Sequence, residues 1–147
     1  MTRWMQRMKS GLRRMGEWIS GHDVPVADEP LEAELVHSRR TRRPAVDVYE
    51  SQDELLLVAD VPGSRPDTTR VGVSGGQLSI LARTEAVPDH RQLFGNDADA
   101  DWHVAFDMPK DVDGGRSEAS HRDGVLTVRL PKLPRPAPHR IPVRSGA

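Results

Sequence analysis

Ala119-Ser120-His121-Arg122-Asp123-Gly124-Val125-Leu126, closed by Leu130-Pro131-Lys132, is the stretch that decides the fold. An Asp-Gly pair between two alternating apolar runs is a strong hairpin signal, because both residues tolerate positive φ. It predicts strands over residues 117–122 and 125–130. The period of two extends back along the chain. Val46 and Val48 alternate with Asp47 and Tyr49. Residues 54–60, Glu-Leu-Leu-Leu-Val-Ala-Asp, form the short apolar run of a strand buried on both sides, and Pro62-Gly63 stops it. Val71 and Val73 alternate with Arg70, Gly72 and Ser74, and Gly75-Gly76 turns the chain into Leu78, Ile80 and Ala82. Trp102, Val104, Phe106 and Met108 alternate with His103, Ala105 and Asp107 before Pro109. Six or seven short strands with turn signals between most of them predict an all-β, immunoglobulin-like antiparallel β-sandwich over residues 44–131. The interval 84–100 is the one long gap, and gaps of that kind commonly serve as functional or partner-exchanging loops.

The flanks read differently. Residues 1–43 form an N-terminal arm. Within it, residues 2–20 predict an amphipathic helix: Trp4, Met5, Met8, Leu12, Met15, Trp18 and Ile19 fall in one arc of about 140°. Arg3, Arg7, Lys9, Arg13, Arg14 and Glu17 take the opposite side. A lone helix of this length is marginal in water, so it forms fully only when its apolar face is covered. Residues 21–43 are polar and charged; Pro30 could open a short helix carrying Leu31, Leu35 and Val36. Arg39-Arg40-Thr41-Arg42-Arg43-Pro44 reads as a charged linker and a domain boundary. Residues 132–147 form an extended C-terminal tail, in which Pro134, Pro136 and Pro138 resist collapse.

Charge and composition narrow the function. The arm carries +3, residues 44–131 carry −8 and the tail +4, within a net charge of −1 over 147 residues. A nucleic-acid binder is expected to carry its basic stripe on the folded body, so no nucleic-acid partner is expected. The basic ends suit acidic surfaces of other copies or an anionic membrane. There is no cysteine, which removes disulfides, thiolate metal sites and thiol nucleophiles. No apolar run approaches membrane-spanning length and the N-terminus lacks a secretory segment, so a cytoplasmic location is expected.

Enzyme chemistry is not expected either. Asn96-Asp97-Ala98-Asp99-Ala100-Asp101 begins like a calcium loop, but Trp102 stands where glycine is needed and Met108 where the bidentate Glu belongs. A solvated acidic loop is the better reading. The six His residues show no close metal-ligand spacing, Gly75-Gly76 reads as a turn rather than a phosphate cradle, and no nucleophile setting is present. No cofactor and no metal are expected.

Four stretches in order resemble the small heat-shock protein (α-crystallin) family: Pro44-Ala45-Val46-Asp47-Val48-Tyr49-Glu50, Val58-Ala59-Asp60-Val61-Pro62-Gly63, residues 119–126 with Leu130-Pro131-Lys132, and Ile141-Pro142-Val143. The resemblance covers residues 44–143. It implies an α-crystallin domain and an ATP-independent holdase chaperone that keeps unfolding proteins soluble. It also implies a dimeric building block, with a strand in the long loop exchanged between partners. His90, Leu93 and Phe94 mark the candidate dimer loop. Ile141, Pro142 and Val143 become the oligomer anchor, docking in a groove of another dimer bounded by Val71 and Val73 on one strand and Ala119 and His121 on the other. His121 reads as an edge-strand residue. The sequence departs from the family at Val104, where an Arg is common. The apolar face from Trp4 to Ile19 is the candidate client-binding surface, since Met suits many unrelated apolar partners. Two alternatives stand beside the holdase: a membrane-surface stress protein using the basic helix, and a scaffold or co-chaperone sandwich binding one defined partner.

Overall fold

The computed structural model describes residues 21–29, 31, 39–95 and 99–135. The predicted helix over 2–20 and the anchor at 141–143 lie outside them. The described chain forms ten strands: β1 (His22–Val24), β2 (Val26–Ala27), β3 (Thr41–Arg42), β4 (Ala45–Glu50), β5 (Glu54–Asp60), β6 (Ser64–Ser74), β7 (Gln77–Thr84), β8 (Asp101–Asp107), β9 (Glu118–Arg122) and β10 (Val125–Pro131). One sheet runs β1-β9-β10-β5-β4, the other β2-β6-β7-β8-β3.

Both predicted hairpins form for the predicted reason. Asp123 and Gly124 have φ of 49° and 78°, and Gly75 and Gly76 have 58° and 78°. Two positive φ values in succession match the right-handed twist of the flanking strands, as two-residue hairpin loops require. β10 pairs antiparallel with β9 and β5, and β4 pairs antiparallel with β5. β6, β7 and β8 form the antiparallel centre of the second sheet. The all-antiparallel expectation needs one correction: β2 pairs parallel with β6 and β3 parallel with β8. Both are two-residue strands supplied by the segment before residue 44, which crosses sheet edges instead of turning back in a hairpin.

The core lies between the sheets. Leu55, Leu57 and Ala59 of β5, Leu126 and Val128 of β10, Val71 and Val73 of β6, and Leu78 and Ile80 of β7 interdigitate there. Val104 is buried in this core, so its side chain lines the interior.

Residues before 44 belong to the body as well. Arg42 stacks over the Trp102 ring with its guanidinium carbon 3.7 Å from the centroid. Arg39 donates to the Thr84 carbonyl at 2.6 Å and lies 3.5 Å from the Asp101 carboxylate. Asp101 is buried and accepts the Thr84 N–H at 3.0 Å. The acidic stretch expected to be solvated therefore ends in a buried structural carboxylate, which clamps the roots of the long loop. Among the described residues, no group of three or more His, Cys, Asp or Glu could hold a metal ion, and no helix is long and apolar enough to cross a membrane.

Candidate functional site

The residues expected to bound a groove do come together. Val71 and Val73 on β6 face the same side gap as Ala119 and His121 on β9, and all four are buried. What buries them is the chain itself. β1 pairs antiparallel with β9, placing Val24 opposite Ala119 and His22 opposite His121. One residue later the backbone crosses to the other sheet, and Val26 and Ala27 of β2 pair with Val71 and Gly72. Val24 is 3% exposed and joins the core, Val26 is half-buried against it, and Pro25 between them faces solvent. Proline at that point gives up no pairing donor and holds φ in an extended range, so the flanking valines turn inward together.

Two glycines make the seat. A Cβ on Gly72 would stand 2.7 Å from the Glu29 carbonyl oxygen and 3.0 Å from Leu31 Cγ. A Cβ on Gly21 would stand 2.7 Å from the His121 carbonyl oxygen. The two 2.7 Å approaches to carbonyl oxygens are closer than a Cβ tolerates, so glycine permits the backbone approach. Leu31 is buried beside Gly72.

His121 corrects the expectation of an edge residue. β9 has β10 on one side and β1 on the other, and His121 is 2% exposed. The Ser64 hydroxyl donates to the Val61 carbonyl at 2.6 Å, which leaves its oxygen to accept from His121 Nε2 at 3.0 Å. The neutral ring with its proton on Nε2 satisfies both groups. Burial holds the His121 pKa below the usual 6.5; its own backbone and Asp123 oppose the shift, and His22 adds to it.

The candidate dimer loop is placed apart from this groove. His90 Nδ1 lies 2.6 Å from the Pro88 carbonyl oxygen. Leu93 is 81% and Phe94 98% exposed, and residues 90–94 form no strand within the single chain. β4 ends its sheet, with no strand of the described residues on its outer side, and exposes Val48 and Tyr49.

Sequence reasoning missed Val24, Val26 and the glycines that seat them. The signal was available: Val24-Pro25-Val26 repeats the apolar-Pro-Val pattern of Ile141-Pro142-Val143. It was obscured because residues 21–43 are polar on average and the three-residue motif is too short to register as a strand.

A small β-sandwich that seats short extended apolar segments along its sheet edges is the class of protein these features define. Residues 47–144 match the Hsp20/alpha crystallin family model, and the chain belongs to that family. It is 31% identical over 111 residues to the spore protein SP21 of Stigmatella aurantiaca, covering 70% of this chain but only 63% of that relative. It is 29% identical over 107 residues to the "Probable 15 kDa heat shock protein" of Leptospira interrogans, covering 72% of this chain and 82% of the relative. The crystal structure of a small heat-shock protein from Xylella fastidiosa superposes with a TM-score of 0.60 at 28% identity, over 71% of this chain and 99% of that one.

Proposed function

We propose that this chain is an ATP-independent holdase, a homo-oligomeric chaperone that captures unfolding proteins and keeps them from aggregating. Family membership supports a chaperone role, and one observation carries the rest: the β6/β9 groove seats an apolar-proline-apolar strand across both sheets. A module with such a seat can be assembled reversibly by short tails. Ile141, Pro142 and Val143 are the anchor in this reading, and Val71, Val73, Ala119 and His121 bound the acceptor. Burying Ile141 and Val143 contributes roughly 1.5–3 kcal/mol each before ordering costs, so a single tail binds weakly. Several tails per assembly bind strongly while each stays exchangeable. The Xylella relative is described by a distinct high order structure, which favours assembly beyond a dimer here.

Dimerisation is assigned to the exposed loop. His90, Leu93 and Phe94 reach a partner's β4, whose outer edge has backbone groups to pair and whose Val48 and Tyr49 offer apolar surface. Clients are held by the apolar face formed by Trp4, Met5, Met8, Leu12, Met15, Trp18 and Ile19, whose flexible methionines conform to irregular surfaces. The cytoplasm is the expected place of action.

Heating a model protein with this chain in the absence of ATP tests the reading. Light scattering is expected to stay flat with the full chain and to rise when residues 1–20 are deleted. Full protection by the truncated form moves the client site onto the sandwich. No protection by the full chain, with flotation on anionic vesicles, replaces the reading with a membrane-surface protein. A stoichiometric complex with one partner and no general protection makes it a scaffold.

A further inference from the structure

We propose that Val24-Pro25-Val26 is a built-in plug of the β6/β9 groove, competing for it with Ile141-Pro142-Val143 of a second copy, so that tail-mediated assembly requires the plug to leave. This rests on the reading of the tail as an anchor and adds what regulates it. The two segments share one pattern, an aliphatic residue, proline, then valine. In the first, the structure shows what the pattern does: both valines turn in and the proline turns out. The backbone pairs with Ala119 on one sheet and Val71 on the other. The four residues expected to receive the tail are thus already covered, and two strands cannot pair with the same edges of β6 and β9 at once.

Chain connectivity favours the plug over any single tail. The plug is tethered to its own sandwich, which gives it an effective concentration in the roughly millimolar range. A tail from another copy arrives at the concentration of the free protein. The tail has one compensating feature: Ile141 carries one methylene more than Val24, worth about a fourfold preference. Several tails engaging together supply the remainder. The arrangement is a threshold: isolated modules stay capped, and assembly begins when enough tails act in concert or when heat frays the short β1 and β2.

The chain has no cysteine, so an introduced pair is unique. Asp23 and Ser120 are register partners on β1 and β9, at a separation a disulfide spans. The full chain is prepared as Asp23→Cys with Ser120→Cys, carrying Ile141→Gly and Val143→Gly so that its own tail is silent. A fluorescent peptide of residues 136–147 reports binding by anisotropy to the oxidised form, in which the plug is locked. It is compared with a plug-less form of the same tail-silent chain with Val24→Gly and Val26→Gly. Peptide affinity is expected to be at least tenfold tighter for the plug-less form. If the plug-less chain fails to fold, the reduced cysteine pair takes its place with the same expected direction. Equal, measurable affinity for locked and released forms overturns the competition. Absence of binding to every form overturns the anchor reading beneath it.

Discussion

The two lateral edges of the first sheet meet opposite fates. At the β9 side the chain supplies its own closing strand, and Val24 enters the core at 3% exposure. At the β4 side nothing among the described residues closes the sheet, and Val48 and Tyr49 stand more than half exposed. Phe94, on the loop that follows β7, is 98% exposed. An unpaired edge is a template for another chain, and proteins normally blunt or cover it. Covering one edge from within, while no described residue covers the other, separates two kinds of association. Pairing at β4 needs only a partner, whereas pairing at β9 needs a partner and the departure of an occupant.

The largest effect is expected at the open side. Replacing both Leu93 and Phe94 with Ala removes the most exposed apolar surface of the loop. If that surface is buried against β4 of a partner, dimer affinity falls by about 3 kcal/mol, more than a hundredfold, while the monomer keeps its stability. Sedimentation across a dilution series measures this, and an unchanged dimer constant would place dimerisation elsewhere. The closed side has the opposite signature. Val24→Ala removes buried carbon from the core and is expected to cost about 2 kcal/mol of folding stability. Val48→Ala, on the exposed strand, is expected to cost less than about 0.5 kcal/mol. Denaturant midpoints for the two variants compare the edges directly, and equal losses would mean that β1 adds nothing to the fold.

The strand at the open edge is legible in the sequence, though not its openness, and the short strands that close the other edge are not legible. β4 to β10 follow from alternation and from Asp123-Gly124 and Gly75-Gly76, because turn chemistry and period are local properties. The long gap between residues 84 and 100 was equally plain. β1, β2 and β3 comprise two or three residues each. Segments that short have no period to read; they become strands only because an edge already exists for them to pair with. Gly72 and Gly21 likewise read as ordinary glycines until the backbone they admit is in place. His121 reads in the sequence as an edge-strand residue for the same reason: its burial depends on β1 and on Ser64, which are remote in sequence. Asp101 sat in an acidic run, and its partners Thr84 and Arg39 became visible only through the fold.

The Asp101 contacts tie down the root of the long loop, while Leu93 and Phe94 at its tip stay exposed. The Thr84 hydroxyl donates to the Ala100 carbonyl at 3.1 Å, and the Asp101 N–H donates to the Arg40 carbonyl at 2.8 Å. Asp101→Asn keeps a carbonyl-type acceptor for Thr84 but gives up the charge facing Arg39, whose side chain is 48% exposed. With that much solvent around the arginine, the loss is expected to be about 1 kcal/mol. Thermal unfolding checks it. Dimer affinity is expected to stay within about threefold, because the loop tip is untouched. A large dimer defect would show that the root geometry aims the tip.

The smallest effect, and the one that separates the edges by chemistry, is pH. Burial depresses the pKa of His121 below 6.5, and burial acts the same way on His103 of β8. In the unfolded chain both titrate near the ordinary value, so below it the unfolded state binds protons that the folded state resists. Stability from these two groups is therefore complete above about pH 6.5 and declines as the pH falls through that region. Asp67 contributes a separate window: its hydrogen bond to Arg65 lowers its pKa from 3.8, so its share is lost only near and below that value. Acidification from pH 7 to 5.5 thus acts on the two histidines before Asp67, and on the groove side protonated His121 would face His22 across the β1–β9 pair, with Asp123 as an opposing charge. Hydrogen exchange is expected to show the β1 and β9 amides losing protection across that interval, while the outer amides of β4 exchange freely throughout. His121→Gln, which can still donate to Ser64, should flatten the response at β1. An unaltered pH profile in that variant would assign the acid sensitivity to His103 and sever it from the closed edge.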